Sequence, residues 1–156
     1  MGIAYIINRK PYKRKNNPFF FSIKNEYWEA ENWIKINKLN KKDFYTFRNK
    51  KSFFAMTAHI IYSDIDKINP ATHSKKLIKL IRNKIRFKNI IISDDISMKG
   101  LKFTIMENTK RAFSAGCNIV LHCNGNFKEM TIVGKNSPKI NKFIITKTSQ
   151  FYKILS

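Results

Sequence analysis

A chain of 156 residues, 43% apolar with 13 Phe, is long enough for one compact domain and too short for two of ordinary size. No apolar run approaches the roughly 18 to 20 residues of a membrane helix, and IAYII near the start is shorter than the roughly 7 to 15 of a signal-peptide core. A cytoplasmic protein with no membrane partner is therefore expected. The formal charge of +21 would suit phosphate binding, but 25 Lys, 24 Ile and 17 Asn beside 6 Arg, 5 Gly and 4 Pro mark a bias toward residues of A/T-rich codons. The Lys are scattered rather than gathered on one periodic face, which disfavours nucleic acid as a partner.

In chain order, residues 1–38 mix aromatic strings (PFFFSI, EYWEAENW) with the basic run RKPYKRK and show no clean period; they stay unassigned, the basic run reading as a solvated tail. FFAMTAHII (53–61) is a short apolar run of strand length. THSKKLIKLIRNKIRF (72–87) predicts an amphipathic helix capped by Ser74, with Leu77, Ile78, Ile81 and Ile85 on one face and basic residues on the other. NIIISDD (89–95) predicts a second strand. MENTKRAFSAG (106–116) predicts a short helix closed by Gly116, and CNIVLHC (117–123) a third strand, in which Cys117 and Cys123 read as small buried hydrophobes. The order β-α-β-α-β argues for an α/β fold with a parallel sheet and right-handed crossovers.

In such a fold chemistry gathers at the C-terminal ends of the strands, which here present His59, Asp94 with Asp95, and His122. Strand alternation sends Asp94 and Asp95 to opposite faces, so they cannot work as a carboxylate pair. On spacing alone, SDD also fits a helix N-terminus, where carboxylates satisfy unpaired amides. His73, at the start of the first helix, is expected to be exposed. The histidines and carboxylates show no dense ligand spacing, so neither a metal nor a cofactor is expected.

MTAHIIYSDIDKINPATHS, IISDDISMKG and RAFSAGCNIVLHCNGNFKEM closely resemble three successive segments of the bacterial β-N-acetylhexosaminidases of glycoside hydrolase family 3. LNKKDFYTFR (39–48) resembles the short segment those enzymes carry just before the first of these. The resemblance covers about residues 39–138, in the right order and with appropriate gaps. It implies a (β/α)8 barrel that removes terminal N-acetylglucosamine from muropeptides with retention of configuration, as part of peptidoglycan recycling. The family nucleophile is the first Asp of SDD, which falls on Asp94, with Asp95 structural. His59 and His122 match the MTAH and LHCNG strings and, with Met98 of DDISM, are expected near the sugar pocket.

The departures are as informative. The family carries, N-terminal to the matched region, a KHFPGHG type segment followed by an Asp and a His that form the acid/base dyad, and this chain contains neither. Asn118 stands where the family often has Asp, and Gly100 where it often has Ala. The expectation is thus about the last three β/α units of a (β/α)8 TIM barrel over 39–156. Such a chain would be a truncated, inactive or weakly active hydrolase acting on a muropeptide or N-acetylglucosaminide. Two alternatives are a basic nucleic-acid-associated protein and a non-catalytic module pairing with a separately encoded N-terminal half.

Overall fold

The computed structural model describes residue 47 and residues 52–155, so the unassigned segment 1–38 lies outside the described residues. Three strands, β1 (Phe54–Met56), β2 (Ile90–Asp95) and β3 (Ile119–Leu121), form one parallel sheet in that order. The helices are α1 (Lys75–Asn83), α2 (Ile105–Ala115), α3 (Phe127–Asn136) and α4 (Lys142–Leu155), with a 3-10 turn at Ala71–His73 leading into α1. The parallel α/β reading of the sequence therefore holds for this part of the chain.

Local chemistry explains where each element begins and ends. The Ser74 hydroxyl accepts the Leu77 amide at 3.1 Å and opens α1, while Thr104 and Glu107 form a reciprocal capping box that opens α2. Gly116 ends α2 at φ 113°, a conformation that a side chain resists. A Cβ there would also lie 2.9 Å from Ile78 Cγ2, so α2 can turn into β3 this close to α1 only with glycine. Ile78, Ile91, Ile96, Leu101, Ala112, Val120 and Val133 fill the space between sheet and helices. Each large aliphatic side chain buried there contributes on the order of 2 kcal/mol.

At the N-terminal ends of the strands, Arg82 ties the layers together. Its guanidinium donates to the Phe87 carbonyl (2.9 Å), the Asn89 carbonyl (2.6 Å) and Asn118 Oδ1 (2.7 Å). The same Asn118 oxygen accepts the Ile91 amide at 2.8 Å, so an uncharged acceptor serves both where β2 and β3 begin. Nearby, Phe151 of α4 packs edge-on against Phe54, with ring centroids 5.0 Å apart.

Three differences from the sequence reading have physical causes. β1 stops at Met56 because Thr57 makes the last strand-like bond to β2, its amide to Ile92 O at 2.9 Å, before the chain turns away. Ile85 falls beyond the end of α1, though it still packs on the core. His73, expected at the surface, is buried at 7% exposure under α2, with its ring 6.3 Å from that of Phe103.

Neither ring nitrogen of His73 has a hydrogen-bond partner among the described residues. Burial, with smaller contributions from His59 and Arg111, lowers its pKa from 6.5 to about 4. The folded state therefore resists protonation that the unfolded chain accepts. Stability is greatest above about pH 6.5 and falls as pH drops toward 4. A leucine of similar volume removes both unpartnered atoms, so His73→Leu should raise stability by about 1 to 3 kcal/mol and flatten the acid limb between pH 6.5 and 4. Urea unfolding of both proteins at pH 7.5, 6 and 5 checks this. Equal pH dependence in the two would remove His73 as its source.

Candidate active site

Parallel pairing places the C-terminal ends of all three strands on one side of the sheet, and the sequence-predicted site residues meet there. The register between β2 and β3 slips once, because Ile92 pairs with Ile119 but Asp95 with Leu121, leaving one extra residue on β2. The irregularity falls on the SDD string.

The two carboxylates have different surroundings. Asp95 Oδ1 accepts the Ser97 amide (3.0 Å), the Ser97 hydroxyl (2.7 Å) and, from the segment after β3, the Cys123 amide (3.2 Å). Its backbone carbonyl accepts His59 Nε2 (2.8 Å), from the segment after β1, and the Met98 amide (3.1 Å). Residue 95 thus joins the exits of all three strands. Among the described residues the Asp94 carboxylate accepts one hydrogen bond, from the next amide, Asp95 N, at 2.8 Å, and Asp94 is half-buried. Asp94 lies inside the register irregularity, so the simple alternation of Ile90, Ile91 and Ile92 does not carry through to it.

The two site histidines are engaged. His59 bonds through both nitrogens, Nε2 to Asp95 O and Nδ1 with Thr72 Oγ1 at 2.9 Å. Gly100 lies beside it, where an added Cβ would stand 3.4 Å from His59 Cβ, so alanine would also fit. His122 is 4% exposed and continues the parity of Val120 toward α3, where Nε2 meets Glu129 Oε2 at 2.8 Å. That contact, then the one from Asn124, holds the Glu129 carboxyl below the usual carboxylate range. Met98 is half-buried in the turn after β2.

Other candidates are spoken for. Asp66, 8% exposed, accepts from the Ile68 and Asn69 amides, the Asn69 side chain and the Ser74 hydroxyl at 2.8 Å. Desolvation pushes its carboxyl up, but these bonds, Ser74's foremost, outweigh it and bring the pKa down to about 2. Burial pushes the Cys117 thiol up to about 12, which removes it as a nucleophile, and Cys123 is only half-buried. Among the described residues no group of three or more His, Cys, Asp or Glu is placed to hold a metal, and no helix is long and apolar enough to cross a membrane. Sequence reasoning missed Thr72 and Ser97, whose roles depend on loop geometry. It also missed Glu129, although Asn126 and Glu129 stand at capping spacing and Asn126 does cap α3.

The profile of the glycosyl hydrolase family 3 N terminal domain matches residues 29–146, a wider span than the strings recognised in the sequence. A beta-hexosaminidase of Haemophilus influenzae is 43% identical over 72 residues, 44% of this chain and 20% of that protein. One of Neisseria meningitidis serogroup B is 37% identical over 100 residues, 60% of this chain and 27% of that protein. Among solved structures, the beta-N-acetylglucosaminidase from Thermotoga maritima superposes with a TM-score of 0.58 at 28% identity, over 78% of this chain and 29% of that one. The chain thus spans 20% and 27% of the length of these two relatives.

The unequal bonding of the two carboxylates yields a direct expectation. Asp95→Ala removes three donors' acceptor and unties β2 from β3, at a cost of about 2 kcal/mol or more. Asp94→Ala forfeits one local contact and should cost less than about 1 kcal/mol. Urea midpoints of the two variants beside the parent measure this, and equal losses would contradict the division of roles.

Proposed function

The chain belongs to the glycosyl hydrolase family 3 N-terminal domain family, and on that premise we propose that it carries the nucleophile segment of a retaining β-N-acetylhexosaminidase. Asp94 is the nucleophile. It attacks the anomeric carbon of a terminal N-acetylglucosaminide, a muropeptide being the natural substrate, and water releases the sugar from the glycosyl-enzyme. By the same proposal, His59 and Met98 stand near the mouth of the sugar pocket, and His122, bonded to Glu129, supports it from the α3 side. In this reading residues 39–156 form the last three units of a (β/α)8 barrel, residues 1–38 form a separate segment, and the reaction is cytoplasmic.

The observation that carries the proposal is the state of the SDD string. One aspartate is consumed in joining the strand exits, and its neighbour has, among the described residues, a single local bond at the C-terminal end of a central strand. This is where parallel α/β enzymes place reacting groups. Two-carboxylate hydrolysis with retention also needs a second group about 5 to 5.5 Å away to protonate the leaving oxygen. Asp66 is saturated by its own loop, Asp95 is held by Ser97 and Cys123, and Glu129 is occupied by His122 and Asn124. Among the described residues these three carboxylates are already engaged, and the acid/base group is proposed to come from a separately encoded N-terminal half.

An aryl N-acetylglucosaminide whose leaving group needs little protonation is the most lenient substrate. General acid/base assistance is typically worth about 10² to 10⁴ in rate, and positioning several kcal/mol more. The 156-residue chain alone should release no aryl group above an Asp94→Asn control. In any complemented enzyme, Asp94→Asn should lower turnover by several powers of ten, while Asp95→Asn acts through stability. Clear Asp94-dependent turnover by the chain alone would overturn its reading as an incomplete enzyme. Full activity of a complemented Asp94→Asn enzyme would remove Asp94 from the chemistry.

A further inference from the structure

The bonding of His59 reaches Asp94 through a single residue. A backbone carbonyl can only accept, so His59 Nε2 carries the hydrogen in its 2.8 Å bond to Asp95 O. In the neutral ring Nδ1 is then an acceptor, and it lies 2.9 Å from Thr72 Oγ1, whose one hydrogen serves Nδ1 and the more distant Ala58 carbonyl at 3.2 Å. Thr72 is fully buried, and its hydroxyl is 2.9 Å from that of Thr57, the residue where the chain leaves β1. Both edges of the imidazole are therefore fixed by groups that cannot move without disturbing the start of α1 or the exit of β1.

At the other end of the relay, residue 95 has its carbonyl held by His59 and Met98 N and its side chain held by Ser97 and Cys123 N. With both held, its amide has one direction, and that direction is Asp94 Oδ1 at 2.8 Å. The bond occupies one carboxylate oxygen of Asp94, leaves the other for the reacting atom and fixes the plane of the group.

We propose that His59 is a positioning residue for Asp94. By holding the Asp95 carbonyl, it keeps the Asp95 amide aimed at the Asp94 carboxylate. The catalytic meaning of this role rests on Asp94 being the nucleophile; the linkage itself does not. A misplacement of about 1 Å in a reacting group can cost on the order of 10²-fold in rate. Thr72 and Thr57 serve the same end by orienting the ring, and the role differs from sugar contact because both ring nitrogens are already bonded within the chain.

The test reads the carboxylate rather than turnover. The full chain carrying ¹³C-labelled aspartate gives carboxyl resonances for Asp94, assigned by its loss in Asp94→Asn, and for Asp66, which reports that the loop after β1 is folded. His59→Phe keeps a ring and removes both nitrogens. His59→Gln returns an amide donor at the reach of Nε2. The Phe variant should displace the Asp94 resonance and speed hydrogen exchange at the Asp95 amide by about tenfold, the loss of one hydrogen bond's protection, with Asp66 unmoved. The Gln variant should return both toward the parent. If the Phe variant loses the Asp66 signal, His59→Asn replaces it, since its shorter amide stands at the level of Nδ1 and misses the carbonyl, and it should behave as the Phe variant was expected to. An unmoved Asp94 resonance and unchanged Asp95 exchange in a folded Phe or Asn variant would overturn the proposal, as would a Gln variant no closer to the parent. None of these outcomes depends on whether Asp94 proves to be the nucleophile in an activity assay.

Discussion

The structure turns on how little ladder bonding its sheet contains. β1 and β3 are three residues each and β2 is six, so backbone pairing alone gives few bonds to hold three parallel strands in register. Parallel strands cannot be closed by a tight hairpin, and each crossover here must be held by side chains at both ends. Asp95 provides this at the C-terminal ends, where it connects the segments after β1 and β3 to the end of β2. Arg82 with Asn118 provides it at the N-terminal ends. The rest of the site follows from the first of these, because a strand exit fixed at residue 95 also fixes the amide that meets Asp94.

The same economy governs the acidic residues. In a chain with 31 Lys and Arg against 10 Asp and Glu, most carboxylates of the described region serve as local acceptors. Asp66 closes the loop that carries His59 and joins it to the cap of α1, Glu107 completes the box that opens α2, and Glu129 receives His122. Among the described residues, Asp66 and Asp95 are held by several donors each, whereas Asp94 has one. The proposed function rests on this contrast between one lightly bonded carboxylate and its heavily bonded neighbours.

Much of this was legible in the sequence because it rests on local signals. Ser74 before an apolar-periodic run and Gly116 after one are cap residues, and both cap as read. The apolar strings around Ile92 and Val120 gave the centres of β2 and β3. What was not legible depends on distant partners. The length of β1 is set by where Thr57 ceases to bond with β2, and the burial of His73 by α2 closing over the 3-10 turn. The bond from His59 to the Asp95 carbonyl spans 36 residues, and no spacing rule predicts it. α3 and α4 were missed because their apolar periodicity is weak, and α4 leaves Ile145, Tyr152 and Ile154 exposed.

The fold uses Asp95 as its anchor and, on the proposed function, leaves Asp94 to react. Carbodiimide-driven coupling of a small amine to carboxyl groups of the native chain, followed by fragmentation mass spectrometry that separates the two adjacent aspartates, tests it without requiring catalysis. A carboxylate engaged by three donors should couple more slowly than one engaged by a single neighbouring amide. The account predicts that Asp94 is labelled well before Asp95, with the difference vanishing in urea. Labelling of Asp95 as fast as or faster than Asp94 in the native chain would contradict it.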